Sequence, residues 1–553
     1  MRNKSSNNNV KAKDTKKLFF SGVLVLTVAN LVVKVIGAFL KVPLQRILDD
    51  GGMGYYSVAY DIYVWFYTIS TTGLPVAVSI MISSSRAKGN FEDAKKIFKV
   101  VYRIFFAIGL LGMILMMSLS RAFAGVYKLD EAWYGIMAIA PTLFFICLSS
   151  AYRGFFQGHQ NMVPTAISEV IEALGKLTLG IIFALYAKNQ GYPLYVVAAY
   201  TLAGLTIGAA LGMVYLFITK LLFKEEEYNA ALDVEPITGQ VSSTRQIIKN
   251  LLIIGIPITV SSSVMSFTNV IDGMILSSRL QSIGHSAEAV STMFGNYKTL
   301  AVTMFNLPPS LIYPITASIV PLLSSAVSGG KKKLIEDTMN SSLRICSIIS
   351  LPCAFGLSAL SYPILCIIFP ESSAEMAAPL LSLLAPSIFF LSMLSVTNSF
   401  LQSHKFQYYP IISMVAGAVV KLITSYVLIG IPGIEMMGAP IGTFLCYMTT
   451  MLLNFYFVAK KIGYIPSIGK IFVKPFSAAL ICAIAAYAAN YLVDISGIFG
   501  DASRITTILS VIVAAVVYLV ALILLKALRK EDILLLPKGQ KICKIMEKYR
   551  IVS

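Results

Sequence analysis

Three basic side chains lie in or beside the first long apolar run of the sequence. Lys34 and Lys41 lie within this run, and Arg46 lies close to its end. A charge at the centre of a bilayer costs about 2.5–3.5 kcal/mol on insertion scales, so such residues usually face a protein interior or a watery cavity. Lys34 and Lys41 are seven residues apart and share one face of a helix. We predict that this face lines a cationic cavity that receives an anion; alternatively, Lys41 and Arg46 extend to the lipid headgroups.

The composition places the chain in a membrane. Of its 553 residues, 57% are hydrophobic and 13% are charged, about half the charged fraction of a soluble protein. The net charge of +18 lies mainly in short loops and tails between apolar runs, as the positive-inside rule predicts, which argues against nucleic-acid binding. Six of the seven cysteines lie in apolar runs and no CxxC motif occurs. We therefore interpret the cysteines as small buried residues, and we predict no metal and no cofactor.

The apolar runs predict an all-α polytopic membrane protein. About fourteen runs are long enough to cross a bilayer. They are residues 18–42, 55–82, 98–120, 132–156, 162–187, 193–222, 247–278, 291–325, 338–368, 376–402, 408–431, 436–459, 472–494 and 503–527. With this number of spans and both termini cytoplasmic in a bacterial plasma membrane, the loops on the cytoplasmic side are rich in Lys and Arg and the loops on the outer side are poor in them, as the positive-inside rule predicts.

An internal repeat divides the chain. Residues 140–159 read APTLFFICLSSAYRGFFQGH and residues 385–404 read APSIFFLSMLSVTNSFLQSH. At one constant offset the matched pairs include Ala140/Ala385, Pro141/Pro386, Phe144/Phe389, Phe145/Phe390, Gln157/Gln402, His159/His404 and, one span further on, Lys176/Lys421. Because the matched spans are six apart, the repeat is parallel, with a pseudo-two-fold axis along the membrane normal. We expect His159 and His404 to cap helix ends.

The repeat predicts two pseudo-symmetric six-helix lobes around a central cavity, with two further helices at the C-terminus. Such lobes suit alternating access, in which they rock around one site. The predicted segments are a basic tail (1–17), an N-lobe (18–222), a linker (223–246), a C-lobe (247–459), two more spans (460–527) and a basic tail (528–553).

Further ionisable residues lie in or near the spans. Lys298 and, at a helix end, Arg279 are additional candidates for binding an anion. Glu172 and Lys176 form an i, i+4 pair, which is either a structural ion pair or part of a cation relay. Asp272 with Asn269 could coordinate a cation, and Asp61 is a further ionisable candidate.

Two six-span lobes, two extra spans, the cationic first span and the GFFQGH/SFLQSH turns resemble the multidrug/oligosaccharidyl-lipid/polysaccharide exporter superfamily. Within it, the chain is similar to the branch of MurJ and stage V sporulation protein B. The resemblance covers roughly residues 18–527 and implies movement of an undecaprenyl-pyrophosphate-linked sugar from the inner to the outer leaflet.

The resemblance also implies roles for particular residues. Lys34 and Lys41 stand where the branch requires basic residues, and Lys298 precedes Pro308 as its pattern expects. An acidic residue expected near the start of span two is absent, and Asp61 is the nearest substitute. Some relatives bind sodium in span eleven, where this chain has Lys421, whose ammonium group could replace the ion.

The sequence thus predicts a lipid II flippase driven by the membrane potential or an ion gradient, and no enzyme. No GxxxxGK[ST] phosphate loop occurs. The predicted partners are an anionic lipid-linked glycan, membrane lipids and possible contacts with the cell-wall synthesis machinery, for a chain that is itself monomeric. The alternatives are export of another polyprenyl-linked unit, such as a teichoic acid, capsule or spore-cortex unit, and drug/cation antiport.

Overall fold

The fold is helical wherever it is described. The computed structural model describes residues 2–226, 241–310, 312, 323, 327, 332–404, 406, 408–467, 469–496 and 504–527. Within these ranges, the regular secondary structure consists of helices and no strand occurs. The prediction of an all-α membrane protein is confirmed.

The chain forms two compact units, Met1–Gly273 and Met274–Ser553. The helices that begin in the first unit are α1 (Arg2–Thr71), α2 (Gly73–Ala87), α3 (Phe91–Ser118), α4 (Ser120–Val126), α5 (Trp133–Ile139), α6 (Pro141–Gly158), α7 (Val163–Asn189), α8 (Leu194–Leu222) and α9 (Thr244–Ser282). The division between the units falls inside α9. The segment boundaries predicted from the sequence stay predictions.

The second unit continues from α9. Its helices are α10 (Ala287–Asn296), followed by a π-helical turn (Tyr297–Ala301) and helical residues 302–310, then α11 (Lys332–Ala359), α12 (Ser361–Ile368), α13 (Glu371–Leu384), α14 (Ser387–Ser403), α15 (Tyr408–Ile429), α16 (Gly438–Ile462), α17 (Lys474–Ser496) and α18 (Arg504–Leu524).

In the described residues, 10 helices are long and apolar enough to cross a membrane, or up to 11 if a bent pair counts as one span. One of these, Val25–Ala87, has 63 residues. Such a helix would be about 95 Å long at 1.5 Å per residue, far more than one bilayer, so it contains both the first and the second predicted span. The eighth predicted span lies partly outside the described residues. The count of about fourteen therefore stays a prediction.

Asp49 separates the two spans within α1. Its backbone has φ 55° and ψ 179°, which interrupts the helix between the two apolar runs. A positive φ is uncommon for residues other than glycine, although aspartate tolerates it better than most. The break falls between the first two predicted apolar runs, 18–42 and 55–82.

Both copies of the repeat contain a helix break that the sequence did not predict. Residues 132–156 and 376–402 were each expected to form one continuous span. Instead α5 ends before Ala140–Pro141, and α13 and α14 meet at Ala385–Pro386 with a bend of 44°. Proline has no N–H to donate and its ring collides with the preceding turn, which explains an interruption at the same repeated dipeptide in both copies. Asp130–Gly158 is nevertheless long and apolar enough to be one span, and Glu371–Leu384 with Ser387–Ser403 is so as a bent pair.

The matched histidines lie at matched helix ends, as predicted. His159 caps α6 and His404 caps α14. In each case the Nδ1–H donates to the carbonyl four residues earlier, on Phe155 or Phe400, at 2.9 Å. The two halves of the repeat therefore end in the same local structure.

Close packing joins α7 to α8, the pair that supports one wall of the cavity described below. The Cα of Gly208 would lie 2.6 Å from a Cβ added to Gly175, and a Cβ on Gly208 would lie 2.7 Å from the backbone nitrogen of Lys176. Since no real side chain fits at these distances, glycine at both positions allows the two backbones to touch.

Candidate functional site: a lysine- and tyrosine-lined cavity

A cavity of about 500 Å³ in the first unit brings together several of the predicted site residues. The first half of α1 contributes Lys34 and Lys41 to its lining. Their neighbours in the lining are Asn30, Val33, Ile36, Gly37 and Leu40. Positions 30, 33, 34, 37, 40 and 41 follow the spacing of one helix face, which is why the two lysines reach the same space. The expectation that these lysines share a cavity-lining face agrees with this geometry.

A row of four tyrosines forms another part of the lining. Tyr56, Tyr60, Tyr63 and Tyr67 lie on one face of the second half of α1. The centres of successive rings are 5.6, 5.7 and 5.7 Å apart. The sequence analysis did not single out this row, although the spacing of four, three and four residues on one helix was visible.

A buried charge network lies beside the cavity on α6 and α7. Glu172 accepts from Lys176 Nζ at 2.5 Å and from Arg153 Nη2 at 3.0 Å. Arg153 also donates from Nε to the hydroxyl of Ser168 at 3.2 Å, and its Nη1 lies 3.9 Å from Glu169 Oε1. Two cations and two carboxylates thus balance one another in a buried environment, where an unpaired charge would be costly.

The pair of Glu172 and Lys176 was predicted, and its ion-pair geometry is confirmed. Arg153, which joins it from α6, was missed. A visible signal existed, because Arg153 is a charge inside an apolar run, the same signal that identified Lys34. The partner could not be read from the sequence, since Arg153 and Glu172 belong to different helices.

Arg46 lies outside the cavity lining. Its side chain is exposed, and its main-chain carbonyl accepts a hydrogen bond from Lys188 Nζ at 3.3 Å. Lys188 also forms an ion pair with Asp49 at 3.6 Å. This position at a helix end agrees with the alternative in which Arg46 reaches towards headgroups, and contact with the substrate stays a prediction.

The acidic candidates Asp61 and Asp272 approach one tyrosine. The hydroxyl of Tyr127 donates to the carbonyl of Val270 at 3.0 Å. Burial, with the nearby carboxylates of Asp61 and Asp272, raises the pKa of Tyr127 well above its usual value. Asp272 is buried and Asn269 is exposed, and their joint role in binding a cation stays a prediction.

The remaining candidates lie in the second unit. Lys298 is half-buried in the π-helical turn, with its Nζ 5.5 Å from the centre of the Phe294 ring. Arg279 donates from Nε to the carbonyl of Tyr426 at 3.2 Å and lies 4.5 Å from that ring. Lys421 is buried on α15. Single π-helical turns occur frequently at functional sites, which is notable for Lys298.

The described part of the chain contains no group of three or more His, Cys, Asp or Glu side chains that could hold a metal ion. Cys147, Cys346, Cys446 and Cys482 are buried and free, as predicted for small core residues. Cys543 lies outside the described residues.

The fold is that of multi-pass membrane transporters. The structure of the lipid II flippase MurJ in an inward closed conformation matches with a TM-score of 0.66 and 15% identity, over 90% of this chain and 98% of that one. An inward-facing multidrug resistance MATE family transporter of the MOP superfamily matches with a TM-score of 0.63 and 15% identity, over 80% of this chain and 98% of that one.

Sequence comparisons give the family. The profile described as polysaccharide biosynthesis protein matches residues 19–327. Among relatives from Bacillus subtilis (strain 168), lipid II flippase MurJ is 26% identical over 80% of this chain and 83% of its own length. Stage V sporulation protein B is 22% identical over 94% and 98%. The chain belongs to the polysaccharide biosynthesis protein family.

Proposed function

We propose that this protein is a flippase that moves an undecaprenyl-pyrophosphate-linked cell-wall precursor, lipid II, from the inner to the outer leaflet of the bacterial plasma membrane. The observation that carries the proposal is the placement of Lys34 and Lys41 on one cavity. A pyrophosphate diester carries two negative charges and many acceptor oxygens, which ammonium groups in a shielded space can bind. The similarity to lipid II flippase MurJ supports the same substrate class.

Alternating access would carry the cavity and its ligand between the two leaflets. The membrane potential is negative inside and favours outward movement of an anion by about 2.3 kcal/mol per charge per 100 mV. We propose that the potential drives transport, with the protein as a monomer and both termini cytoplasmic. If an ion gradient contributes, Asp61 and Asp272 are the carboxylates that we assign to it, in preference to Asn269, Glu172, Lys176 or Lys421.

A second candidate function is export of a different polyprenyl-linked glycan, such as a sporulation-specific unit. The similarity to stage V sporulation protein B extends over 94% of this chain, which is more than the similarity to MurJ covers. The cationic part of the cavity would serve both substrates, because both carry a linking phosphate group.

The test is complementation of cells depleted of their lipid II flippase. We expect the parent to restore growth, and Lys34→Ala and Lys298→Ala to fail at matched membrane levels. Lys460→Ala is the control, since Lys460 is exposed at the end of α16 and donates to the hydroxyl of Tyr456.

Each outcome of this test has a distinct meaning. No rescue by a well-expressed parent would overturn lipid II as the substrate and favour the second candidate. Rescue by the parent and by every variant would keep the function and overturn the assignment of Lys34 and Lys298 to the substrate.

A further inference from the structure

The cavity has two chemically different parts. Lys34 and Lys41 supply positive charge from the first half of α1, whereas the second half supplies the four tyrosines. From α7, Glu169 and Glu172 also reach the lining. Because Lys176 and Arg153 already pair with Glu172, the wall of tyrosines and carboxylates offers little attraction for a second anion.

Two polar atoms of this wall lack hydrogen-bond partners among the described residues. They are the buried hydroxyl of Tyr63 and Oε2 of Glu169. Tyr63 as a whole is 2% exposed. A buried polar atom without a partner costs about 1–3 kcal/mol, so a ligand that supplies the missing bonds is favoured at this position. A hydrocarbon chain cannot supply them.

We propose that the tyrosine row, defined as Tyr56, Tyr60, Tyr63 and Tyr67, is the site that holds the neutral sugar part of the substrate. Aromatic faces pack against the C–H surfaces of a pyranose ring, and sugar hydroxyls both donate and accept hydrogen bonds. A sugar hydroxyl can therefore accept from Tyr63 and donate to Glu169 while an adjacent ring face packs on Tyr60 or Tyr67. A few convergent polar groups among aromatic side chains are typical of small-molecule sites.

This inference rests on the proposed function, because it assigns the glycan after Lys34 and Lys41 have been assigned to the pyrophosphate. The two assignments predict recognition of different parts of the ligand. The lysines recognise any polyprenyl pyrophosphate, whereas the tyrosine row recognises only one that carries a sugar. Comparing ligands with and without the sugar therefore separates them.

The experiment measures binding of two probes, lipid II and undecaprenyl pyrophosphate, to the purified full chain in nanodiscs. We expect Tyr63→Phe to weaken lipid II binding roughly threefold to tenfold, the value of one hydrogen bond, and to leave undecaprenyl pyrophosphate binding unchanged. Tyr60→Leu and Tyr67→Leu, which remove the rings, should each lower lipid II affinity about tenfold. Lys34→Ala should weaken the binding of both probes.

Two controls address folding. Because the Tyr63 hydroxyl has no hydrogen-bond partner in the part of the chain that the structure describes, Tyr63→Phe should not lower the melting temperature of the ligand-free chain. Tyr186→Leu removes a tyrosine that is 53% exposed and outside the cavity lining, and it should alter neither affinity.

Three results would overturn the inference. The tyrosine variants could weaken both probes equally, they could weaken neither, or the parent could bind lipid II no more tightly than undecaprenyl pyrophosphate. Each would make the row a packing surface while leaving the cationic site intact. If the parent bound neither probe, the proposed function itself would fail.

Discussion

Glu172 is shared between two cations on different helices. Its carboxylate receives Lys176 from its own helix and Arg153 from α6, and all three side chains are largely buried. A buried ion pair contributes little net stability compared with apolar packing, but removal of one partner is costly because it leaves a charge without compensation. Glu172 is the central member, so its loss should have the largest effect.

We predict that Glu172→Gln lowers the free energy of unfolding by about 3–5 kcal/mol, because Arg153 and Lys176 would then share only Glu169, which lies 3.9 Å from Arg153. Thermal unfolding of the purified protein in detergent measures this change. Glu92→Gln is the matched control, since Glu92 pairs with Lys95 at the surface at 3.2 Å and such pairs contribute little. Equal shifts for both variants would contradict the prediction.

His159 is a second residue whose environment has a measurable consequence. Burial, followed by the positive charge of Arg86, lowers the pKa of His159 to about 4. In the unfolded chain the pKa is about 6.5. Between these values the unfolded state binds a proton that the folded state does not, so stability falls as the pH decreases from about 6.5 towards 4.

We predict that His159→Gln reduces the loss of thermal stability between pH 7 and pH 5. The measurement is the melting temperature of parent and variant across this range. His404→Gln, at the matched helix end, provides the comparison. If the parent and His159→Gln lost stability in parallel as the pH fell, the histidine would not be the group responsible.

At the scale of elements, the contact between α7 and α8 determines where one wall of the cavity stands. Glu169, Glu172 and Lys176 are all on α7, the helix whose backbone touches Gly208 on α8. Any side chain at Gly208 would press against the backbone of Lys176 at 2.7 Å. Backbone atoms cannot yield in the way that the end of a flexible side chain can, so the helices would have to separate.

Gly208→Ala should therefore destabilise the protein by about 1–3 kcal/mol, the usual cost of overpacking, and should also lower transport. The matched control is Gly112→Ala, because a Cβ there would meet only Leu143 Cδ1 at 3.9 Å. We expect the control to be neutral or stabilising by up to about 1 kcal/mol, since alanine favours a helix over glycine. Equal destabilisation by both changes would show that close approach is not the cause.

At the scale of the whole molecule, Lys34 and Lys41 belong to a helix that is long and apolar enough to cross a membrane, and the sequence contains no GxxxxGK[ST] phosphate loop. A carrier of this kind can use the membrane potential directly, because each charge moved through 100 mV corresponds to about 2.3 kcal/mol. An anionic ligand moves outward with the field, and an empty cationic cavity returns inward with it.

We predict that outward movement of lipid II in reconstituted vesicles accelerates at least severalfold when a potassium diffusion potential makes the starting side negative. Lys34→Ala should lose this acceleration together with most of the activity. Transport at the same rate with and without the potential would contradict a potential-driven mechanism and favour coupling through Asp61 and Asp272.

Part of the cavity lining could be predicted from the sequence. Lys34 and Lys41 could be predicted because both lie on one continuous helix, whose periodicity alone decides which side chains share a face. Glu172 and Lys176 could be paired for the same reason. The contacts of Arg153 and the approach of Asp61 and Asp272 to Tyr127 could not be predicted, since each depends on how separate helices pack.

The repeat shows the same limit. The matched Ala–Pro dipeptides at Pro141 and Pro386 were visible in the sequence, yet the spans containing them were predicted as continuous. Proline within a membrane helix either breaks the helix or is accommodated by its neighbours, and the surrounding packing decides between these outcomes. In both copies the result is a break.

The sequence by itself determined that the chain is a helical membrane protein with a cationic first span, because run length, charge placement and helical spacing can be read from the order of the residues alone. The tertiary structure decided that the two lysines, the tyrosine row and the charge network of Arg153 meet around one cavity. The physical reason is that three separate helical segments line the cavity: the first half of α1, the second half of α1, and α7. A sequence pattern within one segment shows which side chains share a face, but it does not show which segments pack together.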